Sequence, residues 1–233
     1  MSQFNFADSI RHINCDVIKP EYGNIPTTQN WIIPARNLLL STIGAMYSER
    51  IWLCALKGEY HRVYTNADKT HEFFLMASGL LTFVCGMMQG EPGALRAETI
   101  VESPFKNMSK AQVVYWALHN GIKPEEMLKT NSCYDDDMRA CGKCLTCFKR
   151  NVAFTMNGIY EENKNNPWLS DIGIHYLADM EQAIKDSDYS HYPPDRIYET
   201  YLAYARAGYV INSQIDTFLH GYQETYYQSL SNI

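Results

Sequence analysis

Apolar side chains recur three and four residues apart between Leu38 and Tyr47, at Leu39, Leu40, Ile43 and Met46 or Tyr47, which predicts a helix starting near Arg36. The next apolar run, Ile51-Trp52-Leu53-Cys54-Ala55-Leu56, is short, unbroken and followed by Gly58. That is the pattern of a strand buried on both faces of a parallel sheet. From about Lys69 to Met88 the spacing predicts a long buried helix, and Ala97-Glu98-Thr99-Ile100-Val101 reads as a second strand. Ser109 is placed to cap a further helix, with Val113, Val114, Ala117 and Leu118 as its apolar stripe and Gly121 as its stop. Strand, helix, strand, helix predicts right-handed crossovers and a parallel sheet, hence an α/β fold.

The two ends of the chain follow other patterns. The first thirty residues carry Lys19-Pro20, Tyr22-Gly23-Asn24 and Ile25-Pro26-Thr27-Thr28-Gln29-Asn30 with little periodicity, and read mostly as loop. Beyond Arg150 no strand pattern recurs, and ten of the seventeen tyrosines fall between Tyr176 and Tyr227. Tyr198, Tyr201, Leu202, Ala205 and Tyr209 are spaced to share one helix face, either as plain core or as a face docking on the rest of the chain or on a partner. The expected organisation is an α/β domain over residues 1–155, containing a cysteine loop at 130–150, followed by a tyrosine-rich helical extension over 156–233.

Composition narrows the function classes. At 233 residues, with 46% hydrophobic and 20% charged residues, the chain is an ordinary globular sequence. Its formal charge of −6 argues against sequence-independent nucleic-acid binding, which relies on a basic surface. The apolar run from Phe73 to Met88 is shorter than the roughly 20 residues that cross a bilayer, and Ser78, Gly79, Thr82 and Gly86 interrupt it. With no secretion signal at the N-terminus, a cytoplasmic protein without membrane contact is expected.

Seven cysteines in such a chain favour metal-binding or buried-thiol roles over disulfides. Cys54 and Cys85 sit in apolar runs and read as core thiols, and Cys15 stands apart. Cys133, Cys141, Cys144 and Cys147 place four soft donors within fifteen residues. Their two x2 turns let successive thiolates converge on one tetrahedral metal, with zinc the expected ion. Lys143, Lys149 and Arg150 are placed to offset the thiolate charge. A redox CxxC pair and an iron–sulfur cluster are the alternatives; the cluster would be coloured. A filled four-thiolate shell leaves no open position, so the metal would be structural.

Five segments together resemble the 7-cyano-7-deazaguanine synthases of the queuosine pathway, within the pyrophosphatase-loop superfamily. They are Ile33-Pro34-Ala35-Arg36-Asn37 with its helix, Asp68 with Glu72-Phe73, Ser103-Pro104-Phe105 through Ser109-Lys110-Ala111, Thr130-Asn131-Ser132-Cys133-Tyr134, and Cys141-Gly142-Lys143-Cys144-Leu145-Thr146-Cys147. The resemblance covers roughly residues 10–155 and implies an adenine-nucleotide α-hydrolase-like core. It also implies an ATP-dependent C–N ligase that activates the carboxylate of 7-carboxy-7-deazaguanine as an adenylate, adds ammonia, and dehydrates the amide to the nitrile after a second activation. By the same resemblance, Arg36, Asn37 and Ser103 lie at the nucleotide or base pocket, Asp68 serves the substrate region, and Lys110 approaches phosphate.

One departure qualifies that expectation. Members of the family carry a Ser-Gly-Gly-x-Asp-Ser loop whose amides cradle the ATP pyrophosphate. These 233 residues contain no Gly-Gly pair, and Asp68 is followed by Lys69-Thr70 in place of the usual Cys-Arg. The expected protein is therefore a truncated homologue, inactive alone or completed by a polypeptide that brings the ATP loop, by self-association, or by an unrelated loop in its place. The tyrosine-rich segment is an alternative cover for the face so exposed. A non-catalytic zinc-stabilised binding or assembly protein is the competing class. A nucleic-acid accessory factor using Lys143, Lys149, Arg150 and Phe148 is a third.

Overall fold

The computed structural model describes residues 35–60, 67–87, 98–133 and 139–231. The expected loop of the first thirty residues and Cys15 lie outside them. By its contacts the chain forms two compact units, one of residues 1–53 and 61–102, the other of residues 54–60 and 103–233. The compositional boundary at residue 155 falls inside the second.

The first unit is built on two short parallel strands, β1 (Arg50–Trp52) and β2 (Ile100–Glu102), with Ile51 opposite Val101. Two helices accompany them, α1 (Arg36–Ala45) and, within the crossover between the strands, α3 (His71–Met87). The strand expected over Ile51–Leu56 stops at Trp52, and it is buried on one face only. Ile51 is buried while Arg50 and Trp52 are exposed, both donating to the Glu102 carboxylate. Alternate strand residues point to opposite faces, and among the described residues only one face is covered.

On α3 the buried positions are Phe74, Ala77 and Leu81, whereas Leu75, Met76, Leu80 and Phe83 are exposed among the described residues. The expected buried helix is thus covered on one side among the described residues. The polar residues interrupting its apolar run have a clear task. Ser78 Oγ accepts the Val101 N–H at 2.9 Å, and Thr82 Oγ1 accepts the Thr99 N–H at 2.9 Å. Hydroxyls of α3 thereby satisfy the β2 edge that does not face β1.

The small and polar positions of α1, Asn37, Ser41 and Ala45, are the buried ones; of the expected stripe, Leu39, Leu40, Met46 and Tyr47 are exposed among the described residues and Ile43 is half-buried. Close approach decides this. A side chain at Gly44 would meet Ile51 at 3.1 Å, so α1 lies on the sheet through its smallest residues.

The second unit is helical. In chain order it holds α2 (Lys57–Tyr60), α4 (Lys110–His119), α5 (Pro124–Leu128), α6 (Leu145–Met156), α7 (Asp171–Asp186), α8 (Pro194–Arg206) and α9 (Ser213–Leu230). Ser109 caps α4 as expected: its hydroxyl accepts the Gln112 N–H, and the Gln112 side chain accepts the Ser109 N–H, a closed capping box. Gly121 follows the helix with φ of 86°, in the left-handed region that favours glycine.

The core forms where α6 meets the C-terminal helices, around Phe148, Trp168, Met180, Ile197, Tyr201 and Leu219. Tyr198 and Tyr201 are buried on α8 as the tyrosine pattern suggested, but Tyr209 lies past the helix end and stacks on Tyr204 at 4.5 Å. Cys54 is exposed and Cys85 half-buried, so neither is the fully buried thiol expected; Cys54 follows the end of β1 and has left the sheet. No helix among the described residues is long and apolar enough to cross a membrane.

Candidate functional site

The sulfurs of Cys133, Cys141, Cys144 and Cys147 converge, all four lying within 4.8 Å of one another. A tetrahedral ion with metal–sulfur bonds of about 2.3 Å needs sulfurs roughly 3.8 Å apart, and the Cys141–Cys147 pair stands at 3.8 Å. The donor set fits a four-coordinate soft metal ion such as zinc. Convergence follows from two local structures. Backbone N–H groups of Cys141, Lys143 and Cys147 each point at the sulfur of an earlier cysteine, at 3.4 Å. Cys144 is the N-cap residue of α6, and Cys147 lies in the first turn. The positive end of a helix favours thiolate over thiol.

Electrostatics differ along the cluster. Burial pushes the Cys147 thiol up, with Cys144 and Cys133 adding to the rise. At Cys144 burial also raises the thiol, but the Thr146 hydroxyl, the Cys147 N–H and the neighbouring thiols outweigh it and bring it down to about 7. Cys144 is therefore readier than Cys141 or Cys147 to present a thiolate near neutrality, and a metal would displace the remaining protons.

Two anchors hold the loop. Gly142 has φ of 73°, and a Cβ there would sit 1.9 Å from the Asn165 carbonyl oxygen, so glycine is required twice over. Asn165 Nδ2 donates to the Cys141 carbonyl at 2.8 Å, and Lys164 N–H donates to Ala140 O at 3.0 Å. Arg150 is the second anchor, but not as the charge partner expected for the thiolates. The residue is 4% exposed, and its guanidinium forms a forked ion pair with Glu161 at 2.8–3.0 Å and donates to Thr130 Oγ1 and Met127 O, bracing the segment that leads to Cys133. Phe148 packs edge-on against Trp168 at 5.5 Å and is 1% exposed. Neither Arg150 nor Phe148 is therefore available to nucleic acid.

The other expected site residues fall in both units. In the first, Asn37 Nδ2 donates to Asp68 O at 3.0 Å, drawing α1 to the 3₁₀ turn Ala67–Lys69, and Arg36 opens α1 beside it, half-buried. In the second, Ser103 is buried, and its hydroxyl accepts the Ala55 N–H at 3.2 Å and donates to Ala55 O at 2.7 Å. Lys110, half-buried, is the first residue of α4. Sequence reasoning missed Asn165, Glu161, Asp195 and Glu199. The acidic pair four apart within a tyrosine-rich helix was the one available signal.

Comparison with known proteins adds to this geometry. A family model described as "Queuosine biosynthesis protein QueC" matches residues 8–158. The chain is 28% identical over 153 residues to the 7-cyano-7-deazaguanine synthase of Marinobacter nauticus, covering 63% of this chain and 62% of that protein. It is 31% identical over 144 residues to the enzyme of the same name from Archaeoglobus fulgidus, covering 60% and 52%. A 66-residue stretch is 41% identical to the Pseudomonas putida enzyme, covering 28% of each chain. The match thus spans between half and two thirds of the length of the first two relatives. No solved structure matches the chain.

Proposed function

We propose a function from one premise: the chain belongs to the queuosine biosynthesis protein QueC family. On that premise it serves the ATP-dependent conversion of 7-carboxy-7-deazaguanine to the nitrile, 7-cyano-7-deazaguanine. The observation that carries this reading is the cysteine cluster, because its four converging sulfurs all lie inside the matched segment 8–158. The ion is zinc, its role structural, since four thiolates leave no position open for a substrate.

The reacting groups lie elsewhere. Arg36 offers a planar fork suited to phosphate or carboxylate, and Lys110 a point charge suited to a leaving pyrophosphate. Asn37 in the first unit and Ser103 in the second each serve nucleotide or base binding, and Asp68 serves the substrate side. Catalysis further requires a phosphate cradle of the Ser-Gly-Gly-x-Asp-Ser type, which these 233 residues do not contain. Stabilising the transferring phosphates is commonly the largest catalytic contribution, so the reaction needs that loop from a further polypeptide segment.

The test is pyrophosphate release from ATP, ammonium and 7-carboxy-7-deazaguanine, measured with the protein alone and after adding a polypeptide that carries the loop. Turnover in the second mixture is expected; none in either would overturn the catalytic assignment. Metal analysis of freshly purified protein should find one zinc per chain. Chelation, or Cys144→Ala, should unfold the stretch from Thr130 to Arg150 and lower the Tm.

A further inference from the structure

Asp195 and Glu199 lie on α8, past residue 158 and so outside the segment that matches the family. Both are nonetheless tied to the segments that follow the two strands in the chain. Lys57 Nζ donates to Asp195 Oδ2 at 2.8 Å. The Ser109 hydroxyl donates to Glu199 Oε1, and the Tyr226 hydroxyl of α9 donates to the same oxygen at 2.9 Å. Gln112, the other half of the α4 capping box, donates from Nε2 to Ser229 Oγ at 3.0 Å. Asp195 is 8% exposed and Glu199 5%.

The segments so held are already bound to each other. Lys57 N–H donates to Met108 O at 3.0 Å, and Ser103 exchanges two hydrogen bonds with the Ala55 backbone. Residues 54–60 and 103–110 therefore form one cross-braced piece, on which α8 closes through two carboxylates.

A hydroxyl that caps a helix must accept the first-turn N–H, and its own proton then needs an acceptor elsewhere. Glu199 is that acceptor for Ser109. It fixes the hydroxyl rotor, keeps a lone pair on the Gln112 N–H, and so sets the direction of the chain where Lys110 begins α4. Asp195 does the corresponding work on Lys57 by neutralising its ammonium. Packing alone would be served as well by apolar side chains, because burying carboxylates is costly. Their use here points to placement of specific partners.

We propose that Glu199 and Asp195 are positioning residues for segments 54–60 and 103–110, making the C-terminal helices part of the support of the reaction site. The inference rests on the functional reading above for what those segments do, and on geometry alone for what holds them.

Hydrogen exchange on the full chain separates the two. Glu199→Ala should raise exchange several-fold at the amides of 109–113. Glu199→Gln, whose amide oxygen still accepts both hydroxyls, should retain the wild-type pattern. Asp195→Ala should release 56–60, and α7 should remain protected in every variant. Unchanged exchange at 109–113 in Glu199→Ala, or a rise spread over the whole second unit, would overturn the proposal. If Glu199→Ala does not fold, Asp195→Ala carries the same test at 56–60.

Calorimetry with 7-carboxy-7-deazaguanine supplies the functional arm. Binding to Glu199→Ala should be about tenfold weaker than to the wild type, with Glu199→Gln close to wild type. Equal affinity in Glu199→Ala and wild type would also overturn it. Absence of binding by the wild type would instead defeat the functional reading, leaving hydrogen exchange to decide the positioning.

Discussion

Burial pushes the Glu199 carboxyl up to about 7, against the lowering effects of the Ser109 and Tyr226 hydroxyls and of Lys57, with Asp195 adding to the rise. The folded state thus keeps a proton that the unfolded chain releases near its ordinary value of 4.5. Stability from this group is complete below that value and is lost as pH rises through about 7, a loss on the order of 3 kcal/mol. The Tm should fall between pH 5 and pH 8 (an interval set from the carboxylate linkage), and thermal denaturation of Glu199→Gln over the same interval should show a smaller fall. Equal slopes would mean that Glu199 does not govern the pH dependence. At the cysteines the sequence was informative, because the ligand types and their spacing are local properties. Gly142 gave no comparable sign of its importance, since its constraint comes from Asn165, twenty-three positions later.

Among the elements, α6 links the cysteine loop to the core. Its first turn holds Cys144 and Cys147, its buried face carries Phe148 and Val152, and Arg150 reaches to Glu161 and to the Thr130 hydroxyl. Removing one member of a buried ion pair leaves the other charge uncompensated, at a cost of about 3–5 kcal/mol. Arg150→Ala should lower stability by that amount and reduce zinc retention, both readable from denaturant titration followed by metal analysis. Undiminished stability would show that Glu161 finds solvent. The N-terminus of α4 was legible from Ser109 and Gln112, because a capping box is complete within four residues. The packed face of α1 was not, since apolar periodicity pointed to Leu39 and Leu40 while contact with Ile51 selected the small side.

For the second unit as a whole, the residues of α6 that face the core are covered by Trp168, Met180, Ile197 and Tyr201. A chain ending at Gly158 would leave Phe148, Val152 and Met156 without those neighbours. It should be insoluble or unfolded when expressed, and a soluble product with a cooperative melt would refute this account of the core. What the sequence determined by itself is what a few neighbouring residues settle: four thiolate donors within fifteen residues, the capped start of α4, the alternation of strands and helices that yields a parallel pair, and the motifs that resemble the family. Tertiary structure alone decided which face of α1 and α3 is covered and where Arg150 finds its counter-charge. It also brought Asp195 and Glu199 to Lys57 and Ser109, 138 and 90 positions away. The physical reason is range: spacing and capping act through a turn or two of backbone, whereas burial and ion pairing depend on groups that only packing brings together.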